Sequence, residues 1–150
     1  MQLTSDTLST QPSHDTWEIE LPAGLIGMPQ LRRFAVAALP ESWPFLSLRA
    51  LDDEELTFLA VSPQNLLPDY ELELCDDDAE SLELTSAGDA IIYNIVTLHS
   101  GPRQYVTANL IGPLVINRHT RRGRQVILAN CDRFSAKHAL IDERATAACA

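Results

Sequence analysis

The sequence predicts a mostly-β chain: a single small antiparallel β-barrel-like domain with one short helix. Three observations lead there. The chain has 150 residues, which matches a prior of roughly 150 residues per domain. About eight short apolar or alternating segments are separated by Pro, Gly and acidic turns, the spacing of a meander that buries many strands in one domain. Only one stretch reads as helical. Hydrophobic residues make up 45% and charged residues 21%, so a core can form without disulfide or metal staples.

The elements follow in order. Residues 1–16 are polar and aperiodic, include Pro12, and read as a disordered N-terminal extension. The domain, 17–140, opens with Trp17-Glu18-Ile19-Glu20-Leu21, an alternation that suits a half-buried strand. Pro22-Ala23-Gly24 stops it, and Gly24-Leu25-Ile26-Gly27 reads as a turn with two glycines. Leu31–Leu39 is a strand ended by Pro40, and Phe45–Arg49 alternates again. Leu56–Val61 is apolar on both faces and therefore central. In Tyr70-Glu71-Leu72-Glu73-Leu74 the apolar residues share one face and the two glutamates the other.

Asp76–Leu84 is the helical stretch. Asp76, Asp77 and Asp78 stand where a helix N-terminus favours negative charge, and Leu82 and Leu84 close it on the core. Ala90–Leu98 is an apolar strand with Asn94 inside it. Tyr105–Asn117 is a long extended segment, in which Pro113 removes a ladder donor and marks an edge, bend or bulge. Arg118–Gly123 is a turn and Arg124–Ala129 the last strand. Asn130–Leu140 reads as a polar tail and 141–150 as a frayed terminus. Asn94, Thr97, Asn109 and Asn117 read as scaffold, since polar groups inside strands must find hydrogen-bond partners.

Charge separates function classes. Asp and Glu number 21 against 11 Lys and Arg, a formal net of −10. That argues against direct nucleic-acid binding, which rests on Lys and Arg neutralising phosphate. It argues equally against docking on anionic membrane. The excess is local: 52–89 hold 13 acidic residues and no Lys or Arg, whereas 101–150 hold eight basic and three acidic. No apolar run approaches the roughly 18 residues of a spanning helix. The Ser/Thr-rich start has no apolar h-region and does not read as a signal peptide. Cys75, Cys131 and Cys149, an odd count, fit free thiols in a reducing cytoplasm.

Chemical motifs are few. There is no G-x-S-x-G elbow, P-loop or H-E-x-x-H. The acidic run at 76–80 lacks the glycine and glutamate of a calcium loop, with Ser81 and Ala87 in their places. His14, His99, His119 and His138 have no metal spacing, and no cofactor or metal is expected. Arg118, Arg121, Arg122 and Arg124 read as an exposed hairpin turn that discourages edge pairing. Cys131, Asp132 and His138 leave open a thiol nucleophile with a base, because such groups are recognised by spatial geometry.

Six stretches in order carry a family resemblance: Leu21–Pro29, Pro44–Leu48, Leu67–Glu71, Asn94–Thr97, Thr107–Asn117 and Gly123–Leu128. Together they resemble the FliW family of flagellar assembly factors, over roughly Trp17 to Leu140, about four-fifths of the chain. Leu21 and Met28 stand where the family usually has phenylalanine, and both keep an apolar side chain of useful size. The tail, Phe134-Ser135-Ala136-Lys137-His138-Ala139, departs from a Tyr-Ser-x-x-His-Pro ending. The resemblance implies a β-barrel-like binding protein rather than an enzyme. Its partners would be CsrA, an RNA-binding regulator whose repression of flagellin mRNA it relieves, and flagellin, which competes for it.

A basic RNA-binding partner gives the acidic middle a use. Asp69, Tyr70, Glu71, Glu73, Asp76, Asp77 and Asp78 are the candidate partner-binding residues. Carboxylates there would steer association and repel RNA phosphates. Tyr70 suits an interface through its apolar body and polar tip, although the alternation argues equally for the core. Two other readings stay open: a flagellin-binding chaperone without a translational role, and a small β-barrel hydrolase or ligand binder using Cys131, Asp132 and His138.

Overall fold

The computed structural model of the chain describes residues 1–4, 16–39, 45–63, 70–99 and 105–142. Their strands are β1 (Gln2–Thr4), β2 (Thr16–Glu20), β3 (Arg33–Ala38), β4 (Phe45–Ala50), β5 (Thr57–Val61) and β6 (Glu71–Glu73). The helix α1 (Asp76–Ser81) follows, then β7 (Ala90–His99), β8 (Tyr105–Ala108), β9 (Leu114–Asn117), β10 (Gly123–Gln125) and β11 (His138–Asp142). One sheet runs β10-β9-β7-β5-β4-β3-β2, with β8 joining β7 to β11; β1 and β6 form a separate pair. All strand pairs are antiparallel. β5 is central, as its apolar faces predict. The long sheet curls until its ends touch at one bridge, Glu20 with Arg122, without closing fully. It is barrel-like in that loose sense.

β7 shows how the sequence makes two cores from one sheet. Its side chains alternate, so Ile91 and Tyr93 pack with Trp17, Ile19, Phe34, Val36 and Leu48 on one face. Ala90, Ile92 and Val96 pack with Leu3, Tyr70, Leu72, Leu82 and Leu128 on the other. The first core is built by the β2–β5 meander and its turns. Gly24 and Gly27 both have positive φ, +71° and +86°, in the turn that follows β2, so the two-glycine turn is real.

Four expectations are corrected. The N-terminal extension is not unstructured at its start: Leu3 is fully buried and β1 pairs with β6. Three residues hydrogen-bonded to a partner strand, one of them in the core, suffice to order that end. Thr16 already belongs to β2, while 5–15 lie outside the described residues. Tyr105–Asn117 is broken near Pro113, as that residue predicts, into β8 and β9. Five residues, Asn109–Pro113, oppose only Asn94 and Ile95 of β7, and the register jumps there. Pro113, which has no N–H to give the ladder, lies in this bulge.

The strand expected over Arg124–Ala129 is β10, Gly123–Gln125, and it is not the last. The polar tail contains a 3-10 turn (Cys131–Arg133) and β11, which pairs with β8. Polarity hid these elements, because only the scattered Cys131, Phe134 and Leu140 pack them on the second core. The frayed terminus is likewise shorter than expected, since β11 runs to Asp142; 143–150 lie outside the described residues.

Candidate functional site

β6 and α1 carry the candidate residues, and polar side chains fix both elements in place. β6 is held on both edges. β1 pairs one of them. On the other, Asn130 donates to the Glu71 carbonyl (2.8 Å) and accepts from the Glu73 N–H (3.1 Å), and the Ala129 N–H donates to the Glu73 carbonyl (2.7 Å). This pairing turns Leu72 into the core and the flanking glutamates away from it.

α1 ends in a Schellman arrangement. The Leu84 N–H donates to the Ala79 carbonyl and the Glu83 N–H to the Glu80 carbonyl, both at 3.0 Å. Glu83 occupies the position that favours glycine, with φ +56°. The buried Asn117 side chain secures this end by donating to the Leu82 and Glu83 carbonyls (2.9 and 3.3 Å). Its oxygen accepts from the His119 and Thr120 N–H groups in the β9–β10 turn. One amide thus ties helix, strand and turn together.

The seven candidates separate. Asp69 lies outside the described residues. Tyr70 is corrected: it is 2% exposed and cannot meet a partner. Its hydroxyl donates to the Leu110 carbonyl (2.6 Å) and accepts from Asn94 (3.1 Å), and its ring meets Phe134 edge-on at 4.9 Å. Burial raises its pKa well above the usual phenol range. Asn94 also donates to the Asn109 carbonyl (3.0 Å), while the Asn109 side chain accepts from the Ile111 and Gly112 N–H groups. Tyr70, Asn94 and Asn109 therefore hold the bulge, and the scaffold reading of these asparagines is what the geometry displays. Thr97 differs, being exposed on β7.

The glutamates and aspartates divide by partner. Glu71 is half-buried, accepts from Gln2 (3.1 Å) and lies 3.7 Å from Arg133. The Asp78 side chain is 14% exposed, accepts from the Cys75 thiol (3.2 Å) and pairs with Arg124 at 3.4 Å. Glu73, Asp76 and Asp77 are exposed; among the described residues none of their carboxylates has an ion-pair or hydrogen-bond partner. Glu80 and Glu83 are exposed beside them, and sequence reasoning missed both. The signal was present: Asp76, Asp77 and Glu80 stand at the three- and four-residue spacing that shares a helix face.

The fold also redistributes the charge. The acidic block of 52–89 lies in two places, because the Asp52–Glu55 turn belongs to the first core's meander. Asp52 accepts from the Arg32 and Arg33 N–H groups (2.8 and 2.9 Å), which lower its pKa. The basic end folds onto the acidic middle through Arg124–Asp78, Arg133–Glu71 and His119–Asp89. Among the described residues, Glu73, Asp76, Asp77 and Glu80 form the unpaired acidic cluster on this side, and Glu54 and Glu55 stay unpaired at the meander's turn.

Cys131, Asp132 and His138 are not assembled: among the described residues no hydrogen bond joins them. Cys131 is half-buried at the 3-10 turn and His138 begins β11. Among the described residues no group of three or more His, Cys, Asp or Glu is placed to hold a metal, and no helix is long and apolar enough to cross a membrane.

Comparison with known proteins agrees with the fold. The family model described as FliW protein matches residues 3–140. The flagellar assembly factor FliW of Treponema pallidum (strain Nichols) is 35% identical over 145 residues, covering 97% of this chain and 95% of that one. That of Clostridium botulinum (strain Alaska E43 / Type E3) is 34% identical over 126 residues, covering 84% and 88%. A crystal structure of the flagellar assembly factor FliW superimposes with a TM-score of 0.74 at 32% identity, over 90% of this chain and 92% of the other. The match from residue 3 takes in Leu3 and Thr4 of β1, the strand that pins β6. The chain belongs to the FliW family of flagellar assembly factors.

Proposed function

We propose that this flagellar assembly factor is a cytoplasmic binding protein that captures the RNA-binding regulator CsrA and so relieves repression of flagellin mRNA. Flagellin competes for it and releases CsrA. The observation that carries this reading is the exposed carboxylate set on β6 and α1: Glu73, Asp76, Asp77 and Glu80, without partners among the described residues. A protein that binds RNA presents Lys and Arg, and such a surface is steered toward carboxylates at low ionic strength. Once bound, the same carboxylates repel RNA phosphates. The protein works here by binding, not by turnover, and it contacts neither nucleic acid nor membrane itself.

The test is a competition with purified components. The chain is expected to retain CsrA, to retain flagellin, and to lose CsrA as flagellin is added. Retention of flagellin without CsrA would replace this reading with that of a chaperone lacking a translational role. Turnover abolished by alkylating Cys131 would replace it with an enzymatic one.

A further inference from the structure

The sheet leaves one seam open. β2 meets the turn just before β10 at Glu20, which bridges Arg122 and whose N–H donates to the Arg121 carbonyl at 2.9 Å. Beyond it the Leu21–Met28 turn diverges, with the Leu21 N–H committed to the Arg32 carbonyl. The turn returns only where the Ile26 N–H donates to the Gln125 side chain at 2.9 Å. At the far end Ala129 donates to Glu73 of β6. Between these anchors lies an uncovered backbone edge.

Its polarity follows from the ladder. The Val126 and Leu128 N–H groups point inward, to the Pro113 and Ile111 carbonyls at 3.0 Å. In an antiparallel pair the alternate residues face the other way. Gln125 and Ile127 therefore present main-chain N–H and C=O outward, and among the described residues these groups have no partner. Ile26 and Ile127, on the two sides of the seam, are 56% and 53% exposed. At its start Pro22, Ala23, Leu82, Arg122 and Arg124 line a cleft of about 210 Å³.

We propose that this edge docks an extended acidic segment of another protein, which adds a strand along Gln125–Ile127. An apolar side chain of that segment covers Ile26 and Ile127, and a carboxylate enters the cleft at Arg122. Such strand addition draws affinity from main-chain bonds and specificity from alternate side chains. Charge selects the occupant. Arg121 and Arg122 border the edge, beside Arg124 in its pair with Asp78, and the edge of a second copy, 121–128, carries three arginines and no carboxylate. The inference needs none of the carboxylates assigned to CsrA.

The test titrates the isotope-labelled full chain with an acetylated octapeptide of alternating valine and glutamate. Amide shifts and slowed exchange are expected at Gln125 and Ile127. A valine–lysine counterpart should bind at least about tenfold more weakly. Ile127→Pro removes the outward donor while Val126 and Leu128 keep their inward bonds, and should weaken binding by about tenfold or more. If that variant fails to fold, alternate N-methylation of the peptide tests the same bonds on the unaltered chain. Absent binding, equal affinity for the two peptides, shifts confined to β1 and β6, or an edge protected by self-dimerisation would each overturn the proposal.

Discussion

The two faces of one sheet carry cores that are held in different ways. The first, from Trp17 to Leu114 and Ile116, packs Trp17 and Tyr93 edge-on among aliphatic side chains and rests on the β2–β5 meander, where each strand pairs with its neighbour in sequence. The second gathers Leu3, Leu72, Leu82 and Leu128 from short, scattered pieces. Tyr70, Asn94, Asn109, Asn117 and Asn130 hold those pieces by side-chain bonds to backbone. Local pairing holds the first core together, whereas the second depends on a few polar side chains. The candidate site lies on the second.

The comparison breaks most readily where one residue is irreplaceable. A β-carbon at Gly24 would lie 2.6 Å from the Pro29 Cα and carbonyl carbon, at a backbone angle that side chains disfavour. Gly24→Ala should cost about 3 kcal/mol or more, with the loss shared across the meander in urea denaturation. Asn117→Ala should cost about 2–3 kcal/mol. It should also strip hydrogen-exchange protection from β1, β6 and α1 before β3–β5. Equal loss on both faces would show that the cores are not held differently.

A smaller effect has the opposite sign. Glu83→Gly should stabilise by about 0.5–1 kcal/mol, because glycine takes the left-handed cap position without strain, as a rise in the denaturation midpoint would reveal. The smallest effect is in pH. The Thr85 hydroxyl and then His119 hold the Asp89 carboxyl down, to about 2. A depressed carboxyl contributes stability above its unfolded value of about 3.9 and loses it as pH falls toward the folded value. The difference in melting temperature between the wild-type chain and Asp89→Asn should therefore shrink from about pH 4 to about pH 2.

Legibility in the sequence follows the same division. The meander strands announce themselves by alternation, and Trp17, Ile19 and Leu48 are buried as that pattern requires. β1 and β11 do not: three residues at one end, and a largely polar stretch before Leu140 and Ile141, carry no periodic signal. Tyr70 shows the limit within the candidate site. Alternation placed it correctly beside Leu72, but its polar tip also suited an interface. Only the positions of Leu110 and Asn94, remote in sequence, show that the hydroxyl is satisfied inside. Asp78 and Glu71 could not be told from Asp77 and Glu73 for the same reason. Their arginine partners lie some fifty residues away, and no local pattern reports such a pairing.

The central claim, that the carboxylates of β6 and α1 guide a basic partner, is tested most directly by stopped-flow association of CsrA with the wild-type chain and with Glu73→Lys/Asp77→Lys. Both residues are exposed, so the fold should survive. The account predicts association slowed by about tenfold at low salt, with the difference vanishing near 1 M salt, where the screening length falls to about 3 Å. Equal association rates at low salt would contradict it.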